Sequence, residues 1–188
     1  MAANLFTLFI FYEVLTLSTY PLVAHAGTPA AKRGGRIYLI MLVGASVGLM
    51  LPGIIGVAVA AGSTSFIAGG LLPGKVDDVV GSALLLLLVF GTAKAALMPL
   101  HGWLPTAMVA PAPVSALLHA VAVVKAGVFT LLKVSTYIFG PELIATLPAS
   151  SWILWIAAAT IVIASLVAMT KDDLKARLAW STVSQLAY

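Results

Sequence analysis

The 188-residue sequence contains no cysteine. That excludes disulfides, thiolate metal sites and cysteine-ligated iron–sulfur clusters. Charge is also scarce: 9% of residues are Asp, Glu, Lys or Arg, against about 25% in soluble domains. No Lys or Arg occurs in residues 1–12. The Ala24-His25-Ala26 stretch after the first apolar run therefore lacks the positive region a signal peptide needs. No histidine pair is spaced for haem and no glycine-rich phosphate loop occurs, so no cofactor and no metal are expected. The net charge of +4 is not a nucleic-acid footprint. Six of the ten Lys and Arg residues sit in two short clusters between apolar runs, as topology signals do.

What the chain has is hydrophobic length. Hydrophobic residues make up 62% of it, and they fall in long runs rather than in alternating ten-residue segments. The fold class is an all-α membrane protein, one transmembrane domain over 1–188. A hydrocarbon core of about 30 Å needs about 20 apolar residues as helix. Five spans are read at roughly 2–23, 37–61, 79–110, 114–138 and 151–169, with a sixth beginning near Leu178. The third is broken by prolines at mid-membrane. Residues 61–75, rich in Gly and Ser, read as a loop or re-entrant hairpin. Lys32, Arg33 and Arg36 follow the first span; Lys171, Lys175 and Arg177 follow the fifth. The positive-inside rule then predicts cytoplasmic loops at 32–36 and 171–177, an external N-terminus and a multi-pass protein of the cell's inner (plasma) membrane.

Three spans each carry one ionisable residue near their middle: Glu13, Lys94 and Lys125. Each costs roughly 2.5–3.5 kcal/mol to insert, so each should face the bundle interior or water. His119 lies in the same span as Lys125, about 9 Å from it along the axis and about 120° around it. Water could link the two, and histidine exchanges protons near neutral pH. A structural salt bridge is the competing reading. Two lysines, one glutamate and one histidine do not pair off, which favours a proton or ion path. Lysine suits such a path because its charge responds to solvation and to a nearby carboxylate. Pro99 and Pro105 each remove an intrahelical hydrogen bond. Carbonyls freed at membrane depth are tolerated only against protein or a water-filled cavity. Lys94 is thus expected in the last turn of a half-helix. His25 and His101 lie nearer segment edges, where access or structural roles fit.

Three stretches carry a family resemblance: "FYEVLTLSTYPLVAH", "KAALMPLHGWLPTAMVAPAPVSALLHAVAVVKAGVF" and "DDLKARLAWSTVSQLAY". They resemble the antiporter-like proton-conducting membrane subunits, which include large subunits of respiratory complex I, of membrane-bound hydrogenases and of Mrp-type cation/proton antiporters. The first stretch looks most like the antiporter D-type subunit. The resemblance implies that Glu13 pairs with the broken-helix lysine, Lys94, and that His119 and Lys125 relay protons along a central axis. It implies one five-helix repeat of a fourteen-helix fold followed by the start of a second. Ala112 stands where the family more often has threonine, and Trp180 where tyrosine is common. Because the sequence stops inside "STVSQLAY", a fragment or truncated reading frame is expected.

The expected function is proton translocation within a multi-subunit monovalent cation/proton antiporter. Its partners would be other membrane subunits, protons with Na+ or K+, and the lipid bilayer, with no nucleic acid. The alternatives are a proton-pumping subunit of a complex I-like NADH:quinone oxidoreductase or membrane-bound hydrogenase, carrying no redox centre of its own, and a non-transporting truncated scaffold.

Overall fold

The computed structural model describes residues 2–188, apart from the side chains of His119 and Ala120. Helix α1 spans Leu5–Ala24. Asn4 starts it, its side chain accepting from the Thr7 N–H at 2.7 Å, and so satisfies one of the free donors of the first turn. Helix α2 runs Pro29–Ala61. Thr28 caps it by accepting from the Ala31 N–H at 3.1 Å, and Pro29 takes the first position, where its missing N–H is harmless. A π-turn at Ser46–Met50 interrupts α2 without ending it. Gly62, with φ of 70°, stops it in the left-handed conformation glycine favours. Helix α3 is Asp78–Gly91, α4 is Val123–Lys133, α5 is Pro148–Met169 and α6 is Leu174–Leu186. Short helical pieces at Ala112–Ala116 and Leu117–Val121 lead into α4, with a kink at Ala122, and a π-turn at Val134–Phe139 extends it.

Among the described residues three helices are long and apolar enough to cross a bilayer, α1, α2 and α5; α3 is apolar but shorter. Much of α5 is uncovered, and Trp152, Leu154, Trp155, Leu166 and Met169 are exposed. Such a continuous apolar face is at home in lipid or against another membrane helix.

Two packed clusters hold the chain together. One gathers Leu5, Leu8, Ile54, Leu72, Leu88 and Phe139. The 62–77 loop seals it: the Leu71 and Leu72 N–H groups donate to the Ile138 carbonyl at 2.8 and 2.9 Å. That stretch is non-helical, in line with the loop expectation. The second cluster gathers Tyr38, Leu42, Trp103, Leu104, Leu118 and Val183.

The helices start earlier than hydropathy alone suggests. Residues 32–36, expected as a loop, form the first two turns of α2. Of the segment expected as a loop at 171–177, Leu174 onward is already in α6. Caps decide this: Asp173 accepts from the Ala176 N–H at 3.3 Å, as Thr28 does for α2. Both basic segments meet the same stretch. A Cβ on Gly34 would stand 2.8 Å from the Thr106 carbonyl oxygen, and Lys175 Nζ donates to the Ala110 carbonyl at 3.0 Å. They therefore occupy one end of the bundle. Lys133, whose Nζ stands 4.3 Å from the centre of the Phe66 ring, lies at the other end with the 62–77 loop.

Candidate functional site

Between α3 and the short helix Trp103–Thr106 the chain abandons regular helix. The break opens at Thr92, upstream of Pro99. Thr92 closes α3 on itself: its N–H and its hydroxyl both donate to the Leu88 carbonyl, at 3.1 and 2.8 Å. One 3₁₀ turn follows, Ala93–Ala95, and Ala96 then takes φ of 54°. Lys94 thus lies in its own turn just beyond α3 rather than in the last turn of a half-helix. Pro99 falls in the non-helical stretch. Pro105 stands in the first turn of Trp103–Thr106, where it removes no intrahelical bond. The Ala93 carbonyl, which closes the 3₁₀ turn by accepting the Ala96 N–H at 2.9 Å, accepts a second hydrogen bond from the indole N–H of Trp103 at 2.9 Å. Trp103 is fully buried and meets Tyr38 edge-on, ring centres 5.6 Å apart.

Lys94 is 0% exposed. Its Nζ donates to the backbone carbonyl of Tyr12 and lies 3.3 Å from the centre of the Tyr12 ring. Its own N–H donates to the Tyr12 hydroxyl at 3.2 Å. One residue of α1 therefore supplies a carbonyl dipole, a π-face and a hydroxyl to one lysine. A desolvated ammonium gains roughly 2 kcal/mol or more from such a ring. Gly127 makes room for it: a Cβ there would come within 2.6 Å of the Lys94 carbonyl carbon. So α4 lies against the Lys94 turn, and α1 closes over it.

Glu13 neighbours this site without joining it. No ion pair joins Glu13 and Lys94 among the described residues, and the buried Oε1 of Glu13 has no hydrogen-bond partner. The reason is azimuth. Successive residues stand about 100° apart on a helix; Tyr12 faces the core at 3% exposure, while Glu13 is only half-buried. A buried carboxylate oxygen left open beside a buried ammonium is an unmet acceptor within the same neighbourhood.

Lys125 is elsewhere. It lies two residues before Gly127, about 200° around α4, and is exposed. It lines a cleft of about 420 Å³ with Leu178, Ser181, Thr182 and Gln185 of α6. The side chain of His119 lies outside the described residues. The His101 ring lies 5.2 Å from that of Trp180, tilted 55° to it, and its buried Nδ1 has no hydrogen-bond partner among the described residues. His25 is exposed just past the end of α1. Of the sequence-selected residues, then, Glu13 and Lys94 share a neighbourhood and Lys125 faces another side.

The sequence reading did not select Tyr12, Trp103 or Gly127. A signal for Tyr12 existed. Tyr12, Thr16 and Thr19 recur at helical spacing on an otherwise apolar segment, and all three are buried. Thr16 Oγ donates to the same Tyr12 carbonyl at 3.2 Å, and Thr19 Oγ1 and Tyr38 Oη share a hydrogen bond of 2.6 Å. Nothing local marks Gly127, whose role depends on what packs against it.

The chain resembles proteins of known kind along its whole length. It is 36% identical over 204 residues to the NAD(P)H-quinone oxidoreductase subunit 5 of the Chlorokybus atmophyticus chloroplast, covering 100% of this chain and 30% of that one. It is 34% identical over 195 residues to chain 5 of the Picosynechococcus sp. enzyme, covering 98% and 28%. Among solved structures, the Mrp complex of Dietzia sp. superposes with a TM-score of 0.86 at 30% identity, over 99% of this chain and 20% of that one. An archaeal membrane-bound sulfane sulfur reductase superposes with a TM-score of 0.78 at 25% identity, over 99% and 38%. The chain thus spans less than a third of the length of these two curated relatives. The family described as "NADH:quinone oxidoreductase/Mrp antiporter, TM" matches residues 2–188, and with that match, and a broken helix built around a buried lysine, the chain belongs to this family of antiporter-like membrane subunits.

Proposed function

We propose that the protein carrying this chain translocates protons across a membrane, with Lys94 as its central proton-binding group and Glu13 as the carboxylate that modulates it. One observation carries the reading: a fully buried lysine at a helix break, its ammonium on the Tyr12 carbonyl, beside a glutamate oxygen with no partner. A purely structural ion pair would have joined the two charges. Here the ammonium has one berth on Tyr12 and an open acceptor nearby on the next residue, an arrangement suited to a proton site with two states. Lys125 and His119 are proposed as the onward relay, reached through the α4–α6 side. Other membrane subunits are the proposed partners, by analogy with the multi-subunit complexes in which the relatives occur. The proposed setting is the inner (plasma) membrane, with the basic end of the bundle in the cytoplasm.

The test uses the full-length protein in its complex, in vesicles with an internal pH dye. An imposed Na+ or K+ gradient should drive proton movement, and Lys94→Ala should abolish it with insertion and assembly intact. Normal transport with failed assembly would overturn the reading in favour of a structural lysine. A second reading, a redox-driven pump, is favoured by the names of the curated relatives, which are quinone oxidoreductase subunits. Proton movement driven by NADH and a quinone, but not by a cation gradient, would select it.

A further inference from the structure

We propose that the first turns of α2 form a binding site for an anionic phospholipid. Helix α2 has 33 residues, about 50 Å at 1.5 Å per residue, whereas the hydrocarbon core is about 30 Å thick. Unless strongly tilted, the helix has several turns to spare. The basic residues Lys32, Arg33 and Arg36 lie in its first turns, so the surplus falls at headgroup depth.

These cations are displayed rather than loose. The opposite face is locked: Ala31, Gly34, Gly35 and Tyr38 are buried, and at Gly35 a Cβ would stand 3.2 Å from the Tyr20 ring. On the outer face Lys32, Arg33, Arg36, Ile37 and Ile40 fall within about 140° of azimuth. All three cations are exposed, and none pairs with a carboxylate among the described residues. Together with Pro29 these five residues line a cleft of about 570 Å³. A second cleft of about 430 Å³ shares Pro29, Arg33 and Ile37 with it and continues to Thr106 and Val109. Cations therefore stand above, and isoleucine begins at Ile37, the next residue after Arg36, and continues to Ile40, about 6 Å past Arg36 along the axis. That order, charge and then aliphatic surface, matches a phosphodiester headgroup followed by an acyl chain. Arginine forks hold phosphate oxygens in a bidentate manner, and basic pockets at this depth attract anionic headgroups. An acidic protein segment would meet the charges but would gain nothing from Ile37 and Ile40.

The plainer role of these cations is to set topology. The other basic segment, Lys171 to Arg177, has that role too and serves as an internal control. There Lys175 is turned inward to the Ala110 carbonyl and Arg177 Nε to the Lys171 carbonyl at 3.1 Å, so these cations are tied to backbone oxygens rather than displayed.

The experiment takes the full-length protein, delipidated in neutral detergent. Native mass spectrometry follows added phosphatidylglycerol or phosphatidylcholine of identical acyl chains. Phosphatidylglycerol should be retained at least about tenfold better. R33Q/R36Q should lower its retention about fivefold per charge removed, whereas Arg177→Gln should leave it unchanged. Equal retention of the two lipids, or no loss in R33Q/R36Q, overturns the proposal. So does displacement by millimolar inorganic phosphate, which would mark a simple anion site. Because R33Q/R36Q could disturb topology, a second measurement uses the unaltered protein: phosphatidylglycerol with a photoreactive acyl chain should cross-link residues 29–40. Cross-links confined elsewhere, or lost from 29–40 when partner subunits are present, overturn it. Transport is not read in either measurement, so the outcome is independent of the proton-relay proposal.

Discussion

Lys94 and Lys125 look alike in the sequence, each an isolated cation in an apolar span, yet the fold treats them oppositely. Lys94 is fully enclosed, with its ammonium held by Tyr12 and its backbone pressed on Gly127. Lys125 is exposed on the far face of α4, among Ser181, Thr182 and Gln185. The difference teaches that a midplane charge is accommodated by what crosses it. The Lys94 turn is enclosed by α1 and α4. The Lys125 cleft lies between α4, α6 and Tyr188, and Lys125 is exposed in it.

The strongest way to break this comparison is to remove each ammonium in the full-length protein. Lys94→Ala should reduce proton transport at least about 100-fold, the scale of a lost proton-transfer group. Lys125→Ala should also impair transport, but it should change unfolding in mixed micelles by less than about 0.5 kcal/mol, as surface substitutions do. If Lys125→Ala destabilised the protein as a core substitution does, the open cleft would not describe its surroundings.

Next in size is the floor beneath Lys94. Gly127→Val should overpack the α4 crossing and destabilise by about 1–3 kcal/mol, with transport falling as the Lys94 turn is displaced. Val128→Ala, at the half-buried neighbour of Gly127, offers a control of similar size in volume change. Equal effects at the two positions would show that the close approach of α4 to Lys94 is unimportant.

Trp103→Phe tests the break itself. It keeps an aromatic ring in the core and removes the indole donor from the Ala93 carbonyl, which retains the Ala96 N–H, at a cost of about 0.5–1.5 kcal/mol. Thermal unfolding monitored by retained helicity would measure it; an unchanged midpoint would mean that the indole bond adds nothing to the one from Ala96.

The smallest expected effect sharpens the role of Tyr12. Tyr12→Phe retains the π-face and the carbonyl and loses only the 3.2 Å contact from the Lys94 N–H, worth about 1 kcal/mol. Tyr12→Leu also loses the π-face, and transport should fall further than in Tyr12→Phe. Identical transport in the two variants would leave the ring without a part in holding the ammonium. Amine-reactive labelling completes the contrast: in the purified 188-residue chain Lys125 should react well before Lys94. Protection of Lys125 in the full-length protein would show that later segments cover its cleft.

Composition and apolar run length were enough to establish an all-α membrane protein, because only helices and closed barrels satisfy the backbone in lipid, and the long unalternating apolar runs do not suit a barrel. The interruption near Lys94 was legible too, since prolines in an apolar run announce it. Its starting point was not: Thr92 ends α3 because its hydroxyl and N–H fold back on Leu88, a local geometry that competes invisibly with helix continuation in the sequence. The extra turns of α2 and α6 follow from caps at Thr28 and Asp173, which were present as residues but were overridden by the reading of their cationic neighbours as loops.

The sequence by itself determined which groups are costly to place in a membrane: Glu13, Lys94, His119 and Lys125 are ionisable residues in apolar spans whatever the fold. Only the tertiary structure decided where the charges of Glu13, Lys94 and Lys125 go. Azimuth on α1 turns Tyr12, not Glu13, toward the lysine. Azimuth on α4 turns Lys125 away from it, and the single missing Cβ at Gly127 lets two backbones meet. Helical phase and close approach between segments dozens of residues apart are properties of packing, and no local run of residues encodes them.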